Sequence, residues 1–136
     1  MISARLAECD SLLFVYGTLR EFFDMPMAQR LRREAHCLGV ARVAGRLYDL
    51  GRYPALKRAH RRGEWVIGEL YRLRTAHRTL RVLDRYEACF LRERVVVRLA
   101  RRVSRAWVYR FRGPVRARNR IASGDYAAYL RIRTDA

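Results

Sequence analysis

At 136 residues the chain has the length of one domain, expected to span 1–136 with its core at about 12–130. With 51% hydrophobic and 32% charged residues it is not a disordered chain, and a fold of this size needs no metal or disulfide staple. Apolar runs reach only a few residues, as in Leu12-Leu13-Phe14-Val15, which excludes a membrane-spanning helix, and Met1 to Glu8 lacks the apolar core of a secretory signal; the expected compartment is the cytoplasm. The net charge is +17, and Lys57 is the single lysine among 30 basic residues. Such basicity suits nucleic acid or another anionic surface, but the arginines are scattered, with no block longer than two.

Leu12 to Tyr16 reads as a buried strand that stops at Gly17-Thr18-Leu19-Arg20. Residues 25–33 read as a short arginine-rich helix. Val40, Val43, Leu47 and Tyr48 fall in an extended stretch broken by Gly39 and Gly45, and Gly51-Arg52-Tyr53-Pro54 is a turn. Trp65 to Leu73 alternates as a strand covered on both faces. Thr75 is placed to cap a helix over 76–87. Val95-Val96-Val97 with Leu99, then Ala106 to Phe111, give two more strands, the second ended by Gly113-Pro114. Asp125 is placed to cap a terminal helix carrying Tyr126, Tyr129 and Leu130. Strands dominate without βαβ alternation, which predicts an α+β fold with a mixed, closed sheet and flanking short helices. Closure also removes exposed sheet edges.

Cys9, Cys37 and Cys89 are odd in number, widely spaced and without CxxC, and His36, His60 and His77 do not complete a metal-ligand spacing with them. No metal or cofactor is expected. His36 and Cys37, adjacent in an extended stretch, point to opposite faces and read as one surface histidine and one core thiol.

Glu87 is the most informative position. Ala76, Leu80, Leu83 and Glu87 follow at spacings of four, three and four, one face of a helix whose last member is a carboxylate. An inward carboxylate without a partner costs several kcal/mol. It is therefore either paired with one of the many arginines or a general acid or base facing a cavity. In the second case desolvation and the negative end of the helix dipole both raise its pKa, which suits proton transfer near neutrality. Asp84 and Glu69 compete for the role; each reads alone as an arginine partner, Asp84 also as a like-charged neighbour of Glu87. The turn at Tyr16-Gly17-Thr18-Leu19 is the second constellation. Taken alone it reads first as an ordinary tight turn; its successive backbone N–H groups are also candidates for an anion or oxyanion site. No GK[ST] follows, so it is not a phosphate loop, and Thr18 has no histidine partner to make it a nucleophile.

Taken together these stretches resemble the γ-glutamylcyclotransferase-like (AIG2-like) family. Phe14-Val15-Tyr16-Gly17-Thr18-Leu19-Arg20 is similar to its opening signature, Gly45 to Ala55 to its second block, and Val66 to Tyr71 to its third. Leu83-Asp84-Arg85-Tyr86-Glu87 resembles its acid-bearing helix, and Ala106 to Tyr109 with Ile121 to Tyr126 its closing strand and tail. The resemblance implies a small mixed closed β-barrel with flanking helices and one cavity. It implies cofactor-independent cyclisation of a γ-glutamyl amine or amino acid to 5-oxoproline with release of the amine, an acyl transfer to the substrate's own α-amine. The catalytic carboxylate then falls on Glu87, the substrate loop on Tyr16, Gly17, Thr18 and Leu19, and a substrate-side tyrosine on Tyr109. The partner is a small γ-glutamyl molecule. The chain departs from many relatives at Ala88, where they carry glycine, and at Leu91, where they carry tyrosine. Those departures keep open a weak or inactive binding module of the same fold, and the basicity keeps open an arginine-rich nucleic-acid binder. Cys89 is expected as a buried structural thiol, with reach into the cavity as the alternative. Phe22, Phe23 and Tyr53 read either as aromatics of an interface or as the isolated surface aromatics that are ordinary.

Overall fold

The computed structural model describes residues 9–20 and 25–135; Phe22 and Phe23 lie outside them. The chain forms strand β1 (Leu12–Val15), helix α1 (Pro26–Glu34), then β2 (Ala35–Ala44), β3 (Arg46–Asp49), β4 (Pro54–Lys57) and β5 (Trp65–Leu73). Helix α2 (Ala76–Tyr86) follows, then β6 (Phe90–Leu99), β7 (Arg102–Phe111), β8 (Arg120–Ile121) and α3 (Tyr126–Asp135).

Five strands close a barrel in the order β1-β5-β2-β6-β7. Their pairings are antiparallel except the seam, where β7 meets β1 in parallel at Leu13 and Trp107. This is the mixed closed sheet that the alternation of short strands predicts. A second sheet, β4-β3-β8, lies beside it. The expected break at Gly39 is instead a bulge inside one ten-residue strand: the β2–β5 register shifts between Cys37 and Gly39, and Gly39 takes φ +132°, a region open to glycine.

β1 is an unbroken apolar run because both of its faces are buried. Leu12 and Phe14 join Val43, Val66, Leu70, Val97 and Val108 inside the barrel. Leu13 and Val15 face outward into a second cluster with Leu31 of α1 and Leu80 and Leu83 of α2. Burying each such side chain contributes about 1.5–3 kcal/mol. The two layers fix the end of β1 and the end of α2 beside each other, and the candidate site lies between those ends.

His36 is exposed on β2, whereas Cys37 packs against the second cluster, matching the alternation expected of a strand. No helix among the described residues is long and apolar enough to cross a membrane.

Candidate active site

α2 carries the expected stripe. Leu80 and Leu83 are buried, Ala76 packs against the same cluster, and Glu87 follows as the residue that ends the helix. Its own N–H donates to the Leu83 carbonyl at 2.8 Å, and its carbonyl accepts from the Phe90 N–H at 2.9 Å. The backbone there is doubly held, so the carboxylate is aimed by a rigid corner. It enters a cleft with about 360 Å³ of empty space, walled by the end of β1 and the turn after it, by Tyr53 and Pro54, by Phe90 and by Tyr109.

Burial of this carboxyl pushes its pKa up from 4.5 to about 7. The reason it stays high is the absence of a cation. Asp10, Glu34, Asp49, Glu64, Glu69, Asp84, Glu93 and Asp125 each pair with an arginine. Among the acids whose side chains are described, Glu87 alone has neither an ion pair nor a side-chain hydrogen bond. The two competing acids are arginine partners. Asp84 receives Arg92 through two nitrogens at 2.8 and 3.2 Å and the Tyr109 hydroxyl at 2.7 Å. Desolvation alone would raise its carboxyl, but those hydrogen bonds hold it below its ordinary value. Glu69 is buried against Arg20 at 3.6 Å and accepts from the Tyr71 hydroxyl at 3.2 Å, away from the cleft.

The turn Gly17–Arg20 is closed by the Arg20 N–H on the Gly17 carbonyl at 3.1 Å. Its side chains pin it from below: Leu19 sinks into the second cluster, and buried Arg20 reaches Asp125 at 2.8 Å. Asp125 in turn accepts from the Ala128 N–H at 3.3 Å, the expected cap of α3. The N–H groups of Gly17, Thr18 and Leu19 have no hydrogen-bond partner among the described residues, and all three residues line the cleft. Gly17 is required there for space: a Cβ on it would stand 2.8 Å from Pro54 Cγ.

Tyr16 and Tyr109 both line the cleft, but their hydroxyls are committed elsewhere. Tyr16 donates to the Tyr109 carbonyl at 2.5 Å and accepts from the Leu56 N–H at 3.3 Å, tying β1 to β7 and β4. Tyr109 donates to Asp84. Burial in the first place, and for Tyr109 the Asp84 carboxylate as well, hold both phenols far above their ordinary pKa, so neither is an acid near neutrality. What they offer a ligand is ring surface.

Cys89 corrects an expectation: it is exposed, because β6 begins only at Phe90 and the residues after Glu87 form a turn. It lines a second depression, of about 600 Å³, that shares Thr18, Tyr53, Glu87 and Phe90 with the first. Sequence reasoning also missed Tyr53, Pro54 and Phe90 as site residues. Tyr53 was expected as an interface or ordinary surface aromatic; it stands at the cleft with its ring centre 5.7 Å from that of Phe90. The signal available was its place in a turn followed by proline, which returns the chain toward Gly17.

The described residues hold no cluster of histidine, cysteine and carboxylate side chains suited to a metal ion. The arrangement offers one titratable carboxylate near neutrality facing a row of free backbone donors. That pairing serves proton transfer beside a group that carries or develops negative charge.

No curated protein matches the chain in sequence. Solved structures do match in fold. YkqA from Bacillus subtilis is 25% identical with a TM-score of 0.76; the match covers 93% of this chain, which spans 43% of YkqA. Protein PH0828 from Pyrococcus horikoshii is 20% identical with a TM-score of 0.72, over 91% of this chain and 95% of that one. An AIG2-like protein from Mus musculus is 21% identical with a TM-score of 0.68, over 85% and 87%. The family model described as gamma-glutamyl cyclotransferase, AIG2-like, matches residues 13–128, and the chain belongs to that family.

Proposed function

We propose that the chain is an active cyclotransferase that converts a γ-glutamyl amine or γ-glutamyl amino acid to 5-oxoproline and the free amine, with Glu87 as general base and then general acid. The observation that carries this reading is Glu87 itself: a partly buried carboxylate with its pKa raised to about 7, unpaired where the other acids whose side chains are described are paired. Membership of the family supports the kind of reaction.

The substrate's α-ammonium cannot attack until it loses a proton, and Glu87 takes it. The α-nitrogen then bonds to the γ-carbonyl carbon and closes a five-membered ring. The N–H groups of Gly17 to Leu19 hold either the oxyanion or the α-carboxylate. The old C–N bond breaks as Glu87 returns a proton to the departing nitrogen. Over the cycle the α-nitrogen gives up two protons and the departing nitrogen gains two, one carried by Glu87 and the other exchanged with water. Because the attack is intramolecular, much of the rate comes from holding the substrate folded against Tyr16, Phe90 and Tyr109.

The test is incubation with a panel of γ-glutamyl compounds, with 5-oxoproline read by mass spectrometry. Wild type is expected to form it, and Glu87→Gln to lose at least about a hundredfold in turnover while keeping its fold. Wild-type activity in Glu87→Gln would refute the assignment.

A further inference from the structure

The two depressions meet at Glu87. A carboxylate that protonates a departing nitrogen must stand at the bond being broken, so one depression receives the cyclising glutamyl group and the other the departing amine. The first holds the free N–H groups of Gly17, Thr18 and Leu19, which suit the glutamyl α-carboxylate or the oxyanion. The second is then the amine side. Besides Thr18 and Glu87 its lining is Tyr53, Tyr86, Ala88, Cys89 and Phe90.

That lining is unlike the rest of the molecule. The chain has 30 basic residues, yet among the described residues no arginine or lysine lines this depression. Its single charge is the Glu87 carboxylate. Tyr53 and Tyr86 remain 38% and 45% exposed, so two aromatic rings await cover. Phe90 on the same lining packs at a tilt against Tyr53 and edge-on against Phe111, at 5.7 and 5.5 Å between ring centres. An amino acid as leaving group would set its own α-carboxylate one carbon from the departing nitrogen. That carboxylate would lie close to Glu87 with no cation among the described lining residues to receive it, an arrangement of like charges that disfavours binding.

We propose that this depression is the leaving-group subsite and that it selects γ-glutamyl amines whose amine carries an apolar or aromatic body and no carboxylate, with Ala88 the specificity-determining position on its rim. The proposal rests on the cyclotransferase reading above.

A matched pair tests it: γ-glutamyl-phenethylamine and γ-glutamyl-phenylalanine, which differ only in the carboxylate, with γ-glutamyl-methylamine as the compound lacking a body. The expected kcat/KM favours the phenethylamine compound by at least about tenfold over each of the others. Ala88→Arg, which supplies the missing cation, is expected to cut the preference over γ-glutamyl-phenylalanine by about tenfold. Equal or better turnover of γ-glutamyl-phenylalanine by wild type, or an unchanged ratio in a folded Ala88→Arg, overturns the subsite and leaves the cyclotransferase reading standing. If wild type cyclises none of the three but another compound of the γ-glutamyl panel, the subsite is overturned; if it cyclises no compound of that panel, the cyclotransferase reading fails instead. Calorimetric binding of the same intact compounds to wild type then decides the subsite: tighter binding of the phenethylamine compound upholds its selectivity, and no preference overturns it.

Discussion

Keeping Glu87 unpaired has a cost in stability that depends on pH, and Glu87→Gln exposes it. The carboxyl titrates near 4.5 when unfolded and at about 7 when folded. Below 4.5 both states hold the proton and nothing is lost. Between the two values the folded state holds a proton that the unfolded state has released, so stability falls as pH rises. Above about 7 the full cost is present. Raising the pKa from 4.5 to about 7 corresponds to about 3 kcal/mol; solvent at the open mouth reduces this to about 2 kcal/mol. Glutamine matches the shape and has no charge to desolvate. Urea unfolding of wild type and Glu87→Gln at pH 5 and pH 8 reads the difference, and charges elsewhere cancel between the two proteins. The variant should gain about 2 kcal/mol on wild type between those pH values. A gain that is absent, or the same at both pH values, would refute the reasoning that burial holds this carboxyl up.

The same proton governs rate. Glu87 must be ionised to act as a base, so wild-type kcat/KM should fall about tenfold per pH unit below about 7 and level off above it, measured on any substrate that turns over. Gly17→Ala should cost about 1–3 kcal/mol in urea unfolding and raise KM, because its Cβ meets Pro54 at 2.8 Å and pushes the turn's N–H groups out of line. Arg20→Met removes a cation that stands 3.6 Å from the buried Glu69 and releases the turn from Asp125; thermal unfolding should show a loss of about 3 kcal/mol, far more than an exposed arginine would cost.

The path of the fold was legible wherever one face of an element had to be apolar. Ala76, Leu80, Leu83 and Glu87 kept helical spacing because α2 packs one side only against the barrel, and that spacing singled out the acid. β1 was legible for the opposite reason, since both of its faces are covered. β4 and β8 were not legible: they are four and two residues long, and Pro54 at the head of β4 reads as part of a turn. The first half of β6 was hidden by Arg92, Glu93 and Arg94, which sit on a strand whose outer surface is wet and charged. In the site, the turn at Gly17 and the acid at Glu87 could be read locally. Tyr53 and Phe90 could not, because what makes them walls is a contact between segments 37 residues apart in sequence, and no local spacing encodes it.

The arginine content and the unpaired acid belong to one problem. In a chain this basic, pairing is the ordinary fate of a carboxylate, so a free one needs its neighbours held away. Of the arginines on the strands that wall the cleft, Arg92 and Arg110 stand nearest in sequence to the wall residues Phe90 and Tyr109, and each is occupied. Arg92 is held by Asp84 at 2.8 Å and stacks 4.2 Å from the centre of the Trp107 ring. Arg110 is held by Glu93 at 2.5 Å. Tyr109 adds its hydroxyl to Asp84 and turns its ring toward the cleft, so one residue both secures the acid that restrains Arg92 and presents apolar surface to Glu87. The carboxylate thus sits among rings and backbone N–H groups, with cations one layer out and already paired. Burial can then lift its pKa to about 7, where a paired carboxylate such as Asp84 is instead held below its ordinary value. The difference between a surface ion pair and a proton carrier here is which acids the arginines reach first.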